Sequence, residues 1–137
     1  MELSQARRIV NGALRRMRAH LWIQNWTIDV VYEKLDDGTM GLCTPDPRYR
    51  RASISLDLAE IETADKLLEV LRHELIHVVL APYQAFRRMA YQFTPSKEVD
   101  DALDVAYQLA EENVLQTLES IFDAWEWTAE AMAEYTT

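Results

Sequence analysis

Residues 63–81 read TADKLLEVLRHELIHVVLA, and the rest of the chain is best understood outward from how they fold. The stretch has no internal Gly or Pro. Leu67, Leu68, Leu71, Leu75, Val78 and Val79 recur at helical spacing. Thr63 is placed to cap the helix, Asp65 falls near its first turn, and Pro82 is expected to end it. A helix apolar on most sides is a buried one. His73 and His77 lie inside it four residues apart, so both rings leave nearly the same face. Glu74 follows directly after the first. Buried polar side chains need partners, and a histidine pair at this spacing is best served by one shared metal ion. For the pattern H-E-x-x-H that ion is zinc, with Glu74 as a candidate general base.

The whole chain sets the frame for that helix. Its 137 residues, 49% apolar and 27% charged, are those of a water-soluble globular chain with one modest core, so one domain over residues 1–137 is expected. No apolar run reaches spanning length, and the first 20 residues carry five arginines without a secretory core. A cytoplasmic protein without membrane attachment is therefore expected. The single cysteine, Cys43, rules out an internal disulfide and a Cys-rich zinc ribbon. A net charge of −9 argues against nonspecific nucleic-acid binding. That charge is uneven: after Lys97 there are eleven acidic residues and no Lys or Arg. Arg7, Arg8, Arg15 and Arg18 fall along one face of an N-terminal helix and are read as a solvated face complementing the acidic half.

Around the central helix the order of elements is α-β-β-β-α-α. Leu3, Ala6, Val10, Ala13, Leu14, Met17 and Leu21 mark the first helix. The run WTIDVVYEK from Trp26 alternates as a half-buried strand. After the turn at Asp37-Gly38, residues 39–44 form a second strand, which Pro45-Asp46-Pro47 should break. Residues 52–56 alternate again as a third strand. Residues 82–96 are read as a short helix or a loop, and a last helix runs from about Lys97 to Trp127. This is an α+β domain with helices packed on a three- or four-stranded sheet.

A catalytic zinc takes three protein ligands and keeps one position for water. The metzincin extension would need Gly and His at 80 and 83, where the chain has Leu80 and Tyr83. His20 is the only other histidine and belongs to the first helix. A carboxylate of the last helix is the better choice. With Leu103 at zero and about 100° per residue, Tyr107, Val114, Leu118, Ile121 and Trp125 cluster near 0–60°. Glu111 falls at about 80°, within that apolar arc, and Glu112 at about 180°, facing away. A core-facing carboxylate must be paired or bound, so Glu111 is the expected third ligand, with a partner among the arginines as the alternative. Asp104 is a weaker ligand or a partner for a histidine. Cys43 would match the metal set of peptide deformylases, but Gly41-Leu42-Cys43-Thr44 lacks the acidic residue and glycine-rich segments of that pattern. It is read as a buried strand residue.

With these motifs in place, the chain resembles the zincin metallopeptidases, and among them compact gluzincin-type members. It is similar to the small SprT-like or ImmA/IrrE-related peptidases of phages and prophages. The likeness runs from Leu21-Trp22 through Asn25-Trp26-Thr27-Ile28, Gly41-Leu42-Cys43, residues 52–56 and His73-Glu74-Leu75-Ile76-His77 to Glu111-Glu112-Asn113-Val114. Only the central motif is highly specific. The resemblance implies a zincin-like domain in which His73, His77 and a glutamate of the last helix hold Zn2+, with Glu74 as catalytic base and a peptide or protein as substrate. It also implies a phage or prophage origin in a bacterial host, and an edge strand near residues 53–57 where an extended peptide pairs. Tyr83, Tyr91, Tyr107 and His20 are the candidates for steadying the oxyanion. The chain departs from SprT domains in lacking their third histidine and zinc ribbon. It also lacks the gluzincin acidic residue four places after the ligand: Leu115 follows Glu111 and Gln116 follows Glu112. A catalytically silent binding protein on the same scaffold, engaging a protein partner through the acidic final helix with Trp125 and Trp127, is the rival expectation.

Overall fold

The structure is a computed structural model that describes residues 1–91 and 96–123. The order of elements follows the sequence reading: α1 (Leu3–His20), β1 (Thr27–Tyr32), β2 (Gly41–Asp46), β3 (Arg51–Leu56), α2 (Ala64–Tyr91) and α3 (Lys97–Asp123). The fold is α+β, with three strands in the order β1-β3-β2. β3 pairs parallel with β1, Val30 opposite Ile54, and antiparallel with β2, Cys43 opposite Ile54.

β3 is thus the central strand, which corrects the expectation of an edge near residues 53–57. The reason lies in its side chains. Ala52, Ile54 and Leu56 are buried on one face and Ser55 on the other, and a strand covered on both faces belongs inside a sheet. The edges are β1 and β2. That also explains why Pro45 continues β2 rather than breaking it, because an edge strand tolerates a residue with no N–H to give.

The core lies between α1, α2 and the sheet. α1 contributes Ala6, Val10, Ala13 and Met17 from one face. α2 contributes Leu67, Leu68, Leu71 and Leu75, and the sheet Ile54 and Leu56. Thr63 caps α2, its Oγ1 accepting the Lys66 N–H at 3.1 Å. Pro82 does not end α2, which runs on to Tyr91. Proline removes one backbone bond and crowds the preceding turn, but the turns beyond it are held to α3 by Gln84 and Arg87, which bond Glu111 and Asp104. Two of the N-terminal arginines make local contacts. Arg18 donates to the carbonyls of Gln24, at 2.8 Å, and Trp26, and Arg7 lies over the Tyr32 ring.

α3 packs antiparallel to α2: Arg87 meets Asp104, His77 faces Glu111 and His73 meets Glu119. Among its described side chains only Leu115 is fully buried. The inward face is turned away from the expected apolar arc, since Val114 is exposed while Glu111 is covered. The cause is the facing surface of α2, whose histidines, Gln84 and Arg87 demand polar partners. The side chains of Tyr91 and Ile121, and Trp125 and Trp127 with the end of the last helix, lie outside the described residues. Among the described residues no helix is long and apolar enough to cross a membrane.

Candidate metal centre

The two histidine rings emerge from the middle of α2 with centroids 5.1 Å apart and planes at 69°, as residues one helical turn apart should. Each meets a carboxylate from α3. His73 Nδ1 lies 2.5 Å from Glu119 Oε1; a proton on Nδ1 would be donated to Glu119, and Nε2 would then be the nitrogen able to hold a metal. His77 Nδ1 stands 3.6 Å from Glu111 Oε1. That is too long for a hydrogen bond. It is close to the ~3.4 Å that separates two ligands held at about 2.0–2.1 Å by one tetrahedral zinc.

Glu111 also has partners of its own. The Gln84 amide donates to Oε1, and Arg87 Nη1 lies 3.5 Å from Oε2. The arginine partner weighed as the alternative is therefore present together with the histidine. The Glu111 side chain is 11% exposed, whereas Glu112 is exposed, as the helical geometry of the sequence indicated. Asp104 lies away from the histidine pair. It pairs with Arg87 at 2.7 Å, because it sits more than a turn and a half of α3 before Glu111 and so meets a later turn of the antiparallel α2. His20 closes α1. Tyr83 and Tyr107 stack edge to face at 5.9 Å.

Glu74, one residue round the helix from His73, turns toward β2 instead of α3. It is only 7% exposed. Burial raises its pKa above the ordinary carboxylate range, opposed by His73 and by a hydrogen bond from the Cys43 backbone N–H. The slot exists because residue 41 is glycine: a Cβ there would stand 2.8 Å from Val70 Cγ1 and 3.0 Å from Glu74 Cγ and Oε1. Cys43 sits alongside as a half-buried free thiol. Burial, then the neighbouring Glu74 charge, push it up to about 12, so it remains a neutral thiol near pH 7. His77 moves the other way. Burial and then His73 lower its pKa, against the opposing pull of Glu111 and Glu112, so its imidazole is neutral at physiological pH, the form that binds metal.

The donor set fits zinc in kind: two imidazoles, one held by a carboxylate, and a second carboxylate at ligand-to-ligand spacing from His77. Among the described residues, however, no three His, Cys, Asp or Glu side chains already converge as one cage. They form two histidine–carboxylate pairs. Glu119, Gly41, Gln84 and Arg87 escaped the sequence reading. Glu119 was within reach of it, since the antiparallel partner of a histidine one turn before His77 must lie further along α3 than Glu111. The close approach at Gly41 leaves no pattern in the sequence. No family model, no curated protein and no solved structure matches this chain.

Proposed function

We propose that the chain is a zinc-dependent metallopeptidase of the zincin type, with His73, His77 and Glu111 holding the metal and Glu74 as general base. The observation that carries the reading is the division of labour around one turn of α2. Two imidazoles face carboxylates on α3, while the intervening glutamate is buried separately against edge strand β2. Zinc, when bound, supplies Lewis-acid activation of water and of the scissile carbonyl. The remaining work falls to the protein. Glu74, with a basicity raised by burial, accepts a proton at its carboxylate and returns it to the leaving amine. Glu119 fixes the tautomer and orientation of His73. Gln84 holds Glu111 at Oε1, the oxygen that also faces His77, and Arg87 holds it at Oε2. The outer edge of β2, next to Glu74, replaces β3 as the strand along which an extended peptide would pair.

Glu74→Gln is expected to lower turnover by roughly a thousandfold while retaining metal, read as chelator-sensitive cleavage of a peptide library beside the wild type. Full activity in Glu74→Gln ends this mechanism. One observation favours a second reading, a binding protein on the same scaffold. Glu111 is already engaged by Gln84 and Arg87, and α3 leaves Val105, Leu109 and Val114 exposed. Stoichiometric zinc without hydrolysis of any peptide would support it.

A further inference from the structure

On the side of α2 away from the histidines lies an open groove of about 1070 Å³. Val78, Pro82, Ala85 and Met89 form its helical wall. At about 100° per residue these positions are turned some 120–180° from His73. The opposite wall comes from the loops after α1 and β2. Three aromatic rings project at its margins: Trp22 is 87% exposed, Tyr49 66% and Phe86 63%. Three arginines line it with them, Arg48, Arg50 and Arg88. Among the described residues none of the three has a carboxylate partner. A chain of net charge −9 thus gathers free cations and bare aromatic rings in one place.

The backbone supplies an independent observation. Among the described residues only Trp22 and Arg50 combine a side chain with positive φ, at 61° and 50°, and both line this groove. At Trp22 the cause is visible. α1 ends in a Schellman motif, with Ile23 N–H donating to Arg18 O at 3.0 Å and Trp22 N–H to Ala19 O at 3.3 Å. The position taken by Trp22 is the left-handed one that glycine fills best. A bulky residue there is strained, and the Trp22 ring gains almost no burial in return. Strain of this kind that serves no packing is characteristic of binding surfaces.

We infer that this groove is a docking site for an acidic segment of a protein partner, one that carries an aromatic or large apolar side chain between glutamates or aspartates. The apolar anchor fills the wall of α2 and is flanked by Trp22 and Phe86. The acids meet Arg48 and Arg50, where planar guanidinium groups pair well with carboxylates. Single-stranded nucleic acid shares the taste for arginine and aromatic rings, but the groove favours the peptide. Between the rings the α2 wall is Val78, Pro82, Ala85 and Met89, which receive an apolar side chain rather than a stacked base. The site is separate from the histidine face and does not depend on zinc.

The test is fluorescence anisotropy with a labelled peptide of about ten residues, two tryptophans set among glutamates. A lysine-for-glutamate version and an oligothymidylate of equal length serve as the other arms. The acidic peptide is expected to bind at least tenfold more tightly than either, and to weaken severalfold as salt rises from about 50 to 300 mM. Arg48→Glu with Arg50→Glu is expected to cost at least tenfold. Trp22→Gly removes the ring and relieves the strain together, so affinity should fall at least tenfold while the melting temperature rises by a few degrees. Phe86→Ala, at an exposed position, gives a second loss of affinity without a backbone change. The inference is overturned by no binding at about 1 mM peptide, by equal binding of the lysine peptide, by tighter binding of the oligonucleotide, or by unchanged affinity in both Trp22→Gly and Phe86→Ala.

Discussion

Glu74 reaches its place against β2 only because Gly41 leaves the space open, and the consequence can be measured. A methyl group at 41 meets Val70 Cγ1 at 2.8 Å, and valine is stiff at χ1, so the glutamate must yield. Gly41→Ala is expected to destabilise the fold by about 1–3 kcal/mol and to lower activity further than stability alone would. Urea denaturation beside a peptidase assay reads both, and an unperturbed variant would mean that the slot is roomier than it looks. Cys43 beside it carries a second expectation. Folded, its thiol holds its proton up to about 12, against an ordinary value of 9.0. Its raised pKa therefore favours folding below pH 9 and that contribution is lost as pH climbs toward 12. The stability advantage of wild type over Cys43→Ala should shrink between about pH 8 and about pH 10.5, and thiol reagents should label the native protein slowly. Rapid native labelling at about pH 8 would contradict the burial argument.

The pairing of α2 with α3 decides which carboxylates matter. Glu119→Gln is expected to weaken zinc about 10–100-fold through its hold on His73. Glu111→Ala should weaken it more, and Glu112→Ala, on the exposed face, should leave it unchanged. Zinc titration of the three purified variants gives the order, and equal affinities would remove the reason for choosing between them. This interface also shows what the sequence can and cannot convey. All six elements were legible because each carries its own local signal: helical apolar spacing in α1 and α2, alternation in β1 and β3, a capping threonine at 63. Glu111 was separable from Glu112 because the two differ by about 100° around α3; that Glu111 is the covered one depends on the polar face of α2. What failed depended on neighbours distant in the chain. Pro82 and Pro45 are local breakers, overruled by partners on α3 and by an edge position. The centrality of β3 is a property of sheet order, and the polar face of α3 is dictated by α2.

Across the whole molecule, charge is sorted. Acidic residues dominate α3, three arginines gather at the groove on the far side of α2, and the histidines lie between. Among the described residues α3 is held to the body chiefly by polar side-chain contacts, the Arg87–Asp104 ion pair among them, and one buried leucine, so a metal bridging α2 and α3 should fasten it. Zinc at a hundred times its Kd is expected to add about 2.7 kcal/mol of stability, with slower amide exchange along α3; a chelator should reverse both. The absence of such a shift would contradict a metal bridging the two helices. The central claim, that His73, His77 and Glu111 make one zinc site, is tested most directly by elemental analysis of the purified protein. The expected result is roughly one zinc per chain, retained in Glu74→Gln and lost in His73→Ala and His77→Ala. Zinc below about a tenth of an equivalent after reconstitution, or unchanged zinc in the histidine variants, would contradict it.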